Sequence, residues 1–282
     1  EIVKSLEGGK GTLAQAIADY ERGAALRRQL DERGVGDALA VRGEAFLTTK
    51  LWNDRHGDAP VALEESLALL GLDAVDLYLI HWPAPRQDRY VEAWEALVRL
   101  RERGLARSIG VSNFEPDHLD RIVRETGVTP VVNQIELHPR FQQRELRAYH
   151  EAHGIVTQSW SPLGQGGDIL RNETIARVAE KHGATPGQAI IAWHLAHGLS
   201  VVPKSADPDR LRQNFAALEL RLDEEDMAAI DALDAADGIG TWDWDIPANT
   251  VRTSAQFARL YGLDPERAAA GLPVEEYVQG IH

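Results

Sequence analysis

The sequence predicts an α/β fold with a parallel sheet, closed as a barrel. Three observations predict it. Six short apolar runs, at 46–50, 75–81, 106–111, 131–137, 155–160 and 199–203, read as buried parallel strands. Stretches with apolar residues at helical spacing separate them, and that alternation is the mark of a parallel sheet covered by helices. The length of 282 residues suits one such barrel.

In chain order, 1–11 reads as loop, since Gly8-Gly9-Lys10-Gly11 carries no apolar pattern. Leu13, Ala16, Ile17, Tyr20, Ala24 and Leu30 recur three or four apart, predicting an amphipathic helix over 12–33 with Thr12 as cap and Gly34 as stop. A connector over 34–44 leads to the first strand. The spacing then predicts helices at 60–70, with Val61, Leu63, Leu67, Leu69 and Leu70 near one face, and at 90–103, 116–126, 143–153, 169–182, 186–197, 207–218 and 223–233. Residues 1–240 form the expected barrel, with 1–45 divergent. Residues 241–282, which carry Trp242, Trp244, Phe257, Leu260, Tyr261 and Tyr277, form a structured extension expected to pack on it. Helices are expected within it at 254–261 and from Asp264 to about 278.

The net charge of -14 argues against a nucleic-acid surface, which needs clustered Lys and Arg. The absence of cysteine removes disulfides, thiolate nucleophiles and Cys-ligated metals, and fits a reducing cytoplasm. No apolar run approaches a membrane span and no signal peptide is visible. These features predict a cytoplasmic protein with no metal, nucleic-acid or membrane partner.

The chemistry is expected at the strand ends. Lys50 closes the first run and His81 the second. A solvated Lys or a core His would be ordinary alone, but neighbouring barrel strands deliver their last residues to one mouth. A Lys beside a His there can lower the pKa of a hydroxyl or polarise a carbonyl. Lys204, Ser205, the helix start that follows and Arg210 would converge on an anion. Ser112, Asn113 and Gln134 offer polar groups for a carboxamide, and Trp160 a face for a flat ring.

The segments Thr48-Thr-Lys-Leu-Trp-Asn, Val75-Asp-Leu-Tyr-Leu-Ile-His-Trp-Pro, Ser108-Ile-Gly-Val-Ser-Asn, Asn133-Gln-Ile-Glu-Leu-His-Pro, Ser159-Trp-Ser-Pro-Leu-Gly and Pro203-Lys-Ser, with Arg210 and Asn214, go further. Carrying them, the chain resembles the aldo-keto reductases, especially the bacterial branch that includes 2,5-diketo-gluconate reductases. The resemblance implies a (β/α)8 TIM barrel, incomplete or modified in its first two strands, with NADPH extended across its mouth, hydride transfer to a small aldehyde or ketone, and a monomer. It implies that Ser112, Asn113 and Gln134 hold the nicotinamide carboxamide and that Trp160 stacks on the ring. Ser161 and Leu163 would follow the pyrophosphate, and Lys204, Ser205, Arg210 and Asn214 the adenosine phosphate end. Trp52 and Trp82 would wall the carbonyl pocket.

One family segment has no match. The early Asp-Thr-Ala-x-x-Tyr, which supplies a catalytic Asp and the proton-donating Tyr, has as its nearest piece Ile17-Ala-Asp-Tyr-Glu-Arg-Gly. Setting Tyr20 on the family tyrosine puts Gln15 where the Asp belongs. The expected function is therefore NADPH-dependent carbonyl reduction using Lys50, His81 and Tyr20. The alternative is a repurposed or catalytically impaired relative that binds NADP(H) or a small ligand without reducing a carbonyl.

Overall fold

The computed structural model describes residues 46–164, 168–205, 207–234, 242–245, 250–253, 258 and 263–273. The expectations for 1–45 and for most of 254–261 and 274–278 lie outside them. The described chain runs β1 (Thr48–Leu51), a 3-10 turn (Asn53–Asp58), α1 (Ala59–Leu70), β2 (Val75–Ile80), α2 (Tyr90–Glu102), β3 (Ala106–Ser112), α3 (Pro116–Thr126), β4 (Val132–Glu136), α4 (Arg144–Ala152) and β5 (Val156–Trp160). It continues with α5 (Glu173–Lys181), α6 (Pro186–Ala196), β6 (Ser200–Val201), α7 (Pro208–Ala216) and α8 (Glu224–Asp231). The six strands form one sheet in the order β1-β2-β3-β4-β5-β6, and the paired strands run parallel. This is the α/β architecture expected of the sequence. The chain divides into two compact units: residues up to Ile135 with Tyr149–Val156, and Glu136–Ala148 with the rest.

In the first unit the period-2 alternation of the strands sorts side chains between two faces. Leu77, Leu79 and Val132 cluster on one. Leu51, Tyr78, Ile80, Ile109 and Val111 pack on the other, with Leu63, Leu67, Trp94, Leu97, Leu119 and Ile122 of the helices. On the first face Gly110 brings β3 close to its neighbours, because a Cβ there would meet Val132 O at 2.7 Å and Leu79 Cδ2 at 2.8 Å. Following the same parity to the strand ends places Lys50, His81, Ser112 and Gln134 on the face of Leu77 and Leu79.

Helix α1 buries Leu63, Ser66, Leu67 and Leu70, an i, i+3, i+4, i+7 stripe, and stops at Gly71 with φ 68°. Each buried leucine contributes roughly 1.5–3 kcal/mol of transfer free energy. Val61, expected on that stripe, is half exposed because it lies two residues, or about 200°, from Leu63. Trp94 of α2 is fully buried and donates its Nε1–H to Val128 O at 3.1 Å. Helix α3 opens on a capping box between Glu115 and His118.

In the second unit the helix expected over 169–182 is two elements. A 3-10 turn (Asp168–Arg171) ends at Asn172, whose side chain accepts from Thr174 N at 3.0 Å and Ile175 N at 3.2 Å and starts α5 afresh. Thr185 and Gln188 form the capping box of α6. Asp226 of α8 is buried and accepts from Lys181 Nζ at 2.8 Å and His182 Nε2 at 2.7 Å, tying α5 to α8. The extension holds a three-stranded antiparallel sheet that its sequence had not suggested: β7 (Trp242–Asp245), β8 (Thr250–Thr253) and β9 (Leu272–Pro273). Between β8 and β9 lies α9 (Pro265–Ala270), capped by Asp264 and ended by Gly271 well before residue 278. Ala258, Ala268 and Leu272 form its small core, with Leu263 against it.

Candidate functional site

In the first unit the ends of β1 to β4 bring five of the expected residues into one hydrogen-bonded set. Lys50 Nζ donates to Gln134 Oε1 at 2.5 Å. The Gln134 carbonyl accepts from Ser112 Oγ at 2.7 Å and from Asn113 N at 3.0 Å. Asn113 Nδ2 donates to the His81 carbonyl at 2.9 Å and to Ser112 Oγ at 3.0 Å. His81 N donates to Leu51 O at 3.0 Å, which seats the histidine beside the end of β1. The Trp52 ring lies 4.6 Å from the His81 ring, centroid to centroid, and the Trp82 ring 6.4 Å from it.

The local backbone explains how Asn113 reaches this position. Its φ of 62° is left-handed, a conformation that Asn tolerates better than most residues. Asn133 supports it from below. Fully buried, its side chain donates to Phe114 O at 2.8 Å and accepts from Phe114 N at 3.3 Å, holding the turn after β3 through both backbone groups. Burial lowers the pKa of Lys50 to about 8, because an ammonium removed from water loses solvation. A lysine so tuned is a strong donor near neutral pH and gives up its charge more readily than a surface lysine.

The second unit carries the remaining expected residues. Trp160 ends β5, and Ser161 follows with φ 49°, opening a turn in which Gly164 N donates to Ser161 O at 2.9 Å. Leu163 Cδ1 approaches the start of α6 at Gly187. Lys204 and Arg210 are exposed, and Ser205 and Asn214 are half-buried. Asp207 caps α7, its Oδ1 accepting from Asp209 N at 2.8 Å and Arg210 N at 3.0 Å. The side chains of Lys204, Ser205 and Arg210 remain what the segment offers a phosphate.

Two ionisable groups of the second unit went unmarked in the sequence. Burial raises the pKa of Glu136, at the end of β4, to about 7. Burial also depresses that of His138 to about 4, with His194 and Arg140 adding to the effect. His138 Nε2 lies 4.0 Å from Glu136 Oε1. The available signal was parity, since Glu136 follows Gln134 by two residues on the same strand face. Among the described residues no group of three His, Asp or Glu is placed to hold a metal.

Comparison with known proteins places these features. The model of the aldo/keto reductase family matches residues 26–235. Methylglyoxal reductase DkgA of Yersinia pestis is 52% identical over 215 residues, covering 74% of this chain and 78% of the relative. Methylglyoxal reductase DkgA of Escherichia coli K12 is 50% identical over 244 residues, 85% of each. Among solved structures, apo Gox0644 shares 54% identity with a TM-score of 0.72, covering 75% of this chain and 79% of that one. A mutant of Gox0644 in complex with NADPH shares 56% identity with a TM-score of 0.71, covering 73% and 77%. With this coverage and identity, the chain belongs to the aldo/keto reductase family.

Proposed function

We propose that this chain is an NADPH-dependent oxidoreductase that transfers a hydride to a small aldehyde or ketone, and that methylglyoxal is a substrate. Family membership supports the reaction class. The relatives named for methylglyoxal reduction and the neighbour solved with NADPH support the substrate and the cofactor. The observation that carries the reading is the set Lys50–Gln134–Ser112–Asn113–His81, which gathers hydrogen-bonding side chains at the ends of four successive strands. The donors present fit an amide-bearing ring, and Lys204, Ser205 and Arg210 fit a phosphate.

NADPH, when bound, supplies the hydride. Lys50 and His81 supply N–H donors to the carbonyl oxygen, where negative charge develops as the hydride arrives. Ser112, Asn113 and Gln134 would hold the carboxamide end of the cofactor, and Trp160 would cover its ring. Ser161 and Leu163 would follow the pyrophosphate, and Lys204, Ser205, Arg210 and Asn214 would hold the adenosine phosphate. Trp52 and Trp82 exclude water from the carbonyl pocket. Tyr20, which lies outside the described residues and ahead of the matched stretch, is nominated to protonate the nascent alkoxide. Among the described residues no helix is long and apolar enough to cross a membrane. We place the protein in the cytoplasm as a monomer with no nucleic-acid partner, in keeping with its net charge of -14.

The test is calorimetric titration with NADPH, followed by NADPH oxidation assays on methylglyoxal and a panel of small aldehydes and ketones. Binding with turnover is expected. Protein that is folded yet shows no NADPH binding at millimolar cofactor overturns the reading.

A further inference from the structure

The turn between β1 and α1 contains a buried histidine that hydride transfer does not use. His56 sits in the 3-10 turn Asn53–Asp58 and is only 2% exposed. Neither of its ring nitrogens makes a hydrogen bond of ordinary geometry, and Asn53 Oδ1 in the same turn is also buried and unpaired. The Trp82 backbone lies near enough to the ring to favour its protonated form. Burial, the largest influence, and the Arg89 charge push its pKa down to about 4, against the Trp82 backbone, Asp54 and Glu92, so the ring is neutral. An incompletely paired imidazole in an interior costs stability that an apolar side chain of similar size would not. Residues that break a local rule in this way are expected at functional sites.

The position of the ring supplies the reason. The turn begins directly after Trp52, and Trp82 directly follows His81. Both tryptophan rings adjoin the His81 ring, at 4.6 and 6.4 Å. On its other side the turn is already fastened: Arg55 N donates to Trp52 O at 3.0 Å, and the Arg55 guanidinium pairs with Asp58 at 2.7 Å and with Glu65 at 3.0 Å. Arg89 lies over Gly57, where an added Cβ would collide with its guanidinium. The backbone bond from His81 N to Leu51 O already sets the two chain segments side by side, and His56 is the buried side chain of the turn that the Trp82 backbone approaches.

We infer that His56 is a positioning residue that holds the Trp52 turn against the Trp82 segment and so sets the width of the carbonyl pocket. The inference rests on the assignment of Trp52 and Trp82 as pocket walls under the proposed function. It makes His56 a determinant of which carbonyl compounds are accepted, acting through the two tryptophans without touching the reacting atoms.

The experiment compares wild type with His56→Leu, which fills the space without polar atoms, and His56→Gln, which keeps a donor and an acceptor. NADPH affinity, KM and kcat are measured for methylglyoxal and for a bulkier aromatic aldehyde. Hydrogen exchange at 52–58 and 81–84 is measured on the cofactor-free proteins. The expected result for His56→Leu is a melting temperature equal to or above wild type and an unchanged NADPH affinity. KM for methylglyoxal rises about tenfold, well beyond any change in kcat, while the ratio of kcat/KM shifts toward the bulky aldehyde. His56→Gln recovers most of the loss. Exchange quickens at least tenfold in both segments of His56→Leu together, a readout that needs no turnover. Unchanged exchange in either segment overturns the inference, as does a KM shift below twofold or an equal loss for both aldehydes. Active wild type with indifferent His56 variants refutes this inference alone, whereas wild type that does not bind NADPH refutes the proposed function and leaves the exchange result to decide the role of His56.

Discussion

Gly110→Ala tests the inner face of the strands directly. A methyl group added at 110 would stand 2.7 Å from Val132 O, 2.8 Å from Leu79 Cδ2 and 3.3 Å from Val132 Cβ. The leucine methyl can rotate away, but the Val132 carbonyl is backbone of β4 and cannot yield without moving that strand. Forced insertion of a methyl into a packed core costs about 1–3 kcal/mol. At roughly 2–4 °C per kcal/mol for a chain of this class, the melting temperature should fall by about 2–12 °C. The displacement should also reach function, because β3 pairs with β4 at Val111–Asn133 and Ser112–Gln134, one and two residues from the clash. Thermal unfolding of wild type and Gly110→Ala, with NADPH titrations of each, measures both effects. A variant with wild-type melting and wild-type NADPH affinity would refute the close approach of β3 to β4 and the argument that this glycine sets the spacing of the site.

Further predictions concern other parts of the chain. Burial opposes ionisation of Asp226, but Lys181 and His182 outweigh it and hold the carboxyl at about 2. Its folded pKa lies below the unfolded value near 3.8, so its stabilisation is fully present above pH 4 and is lost as pH falls toward 2. Asp226→Asn should cost about 2–3 kcal/mol at pH 7, toward the low end of buried-pair losses because Lys181 is largely solvated, and should weaken the acid limb of the stability profile. Urea titration from pH 2 to 7 reads both. Tyr20→Phe should lower kcat by about 10²- to 10⁴-fold with NADPH affinity intact, the range expected for loss of a general acid; a wild-type rate removes Tyr20 from the site. We also propose that the extension packs on the barrel, so deleting 241–282 should lower the melting temperature, and a truncated protein of equal stability and NADPH affinity argues otherwise.

What could be read in advance follows from how locally each feature is encoded. Strands β2 and β3 and helices α2 and α3 fell within a residue or so of expectation because Val75–Ile80 and Ala106–Ser112 are bounded by turn residues and Pro116 and Gly127 mark helix ends. Asn172 was misread within a continuous apolar pattern, since capping depends on its side chain reaching back to Thr174 and Ile175. The extension's strands did alternate, as Trp-Asp-Trp-Asp and Thr-Val-Arg-Thr, and Trp, Thr and Val favour strand, but runs of four residues are too short for the alternation to stand out, and pairing with Leu272–Pro273 is a tertiary event. The gathering of Lys50, His81, Ser112, Asn113 and Gln134 at the strand ends was legible because strand ends and motif spacing are written in the sequence. Glu136, His138 and His56 did not stand out, because the property that singles each out is burial of an ionisable ring or carboxyl, which only the folded chain creates.

We propose that Lys50, hydrogen-bonded to Gln134 at the strand ends, drives carbonyl reduction and not cofactor binding. Its pKa of about 8 records the cost of burying an ammonium, so replacing it should leave the fold at least as stable while removing the chemistry. The measurement is single-turnover reduction of methylglyoxal by NADPH bound to wild type and to Lys50→Met. The expected hydride-transfer rate is at least 100-fold lower in the variant, with NADPH affinity within threefold and melting temperature unchanged or higher. Hydride transfer at the wild-type rate in Lys50→Met would contradict it.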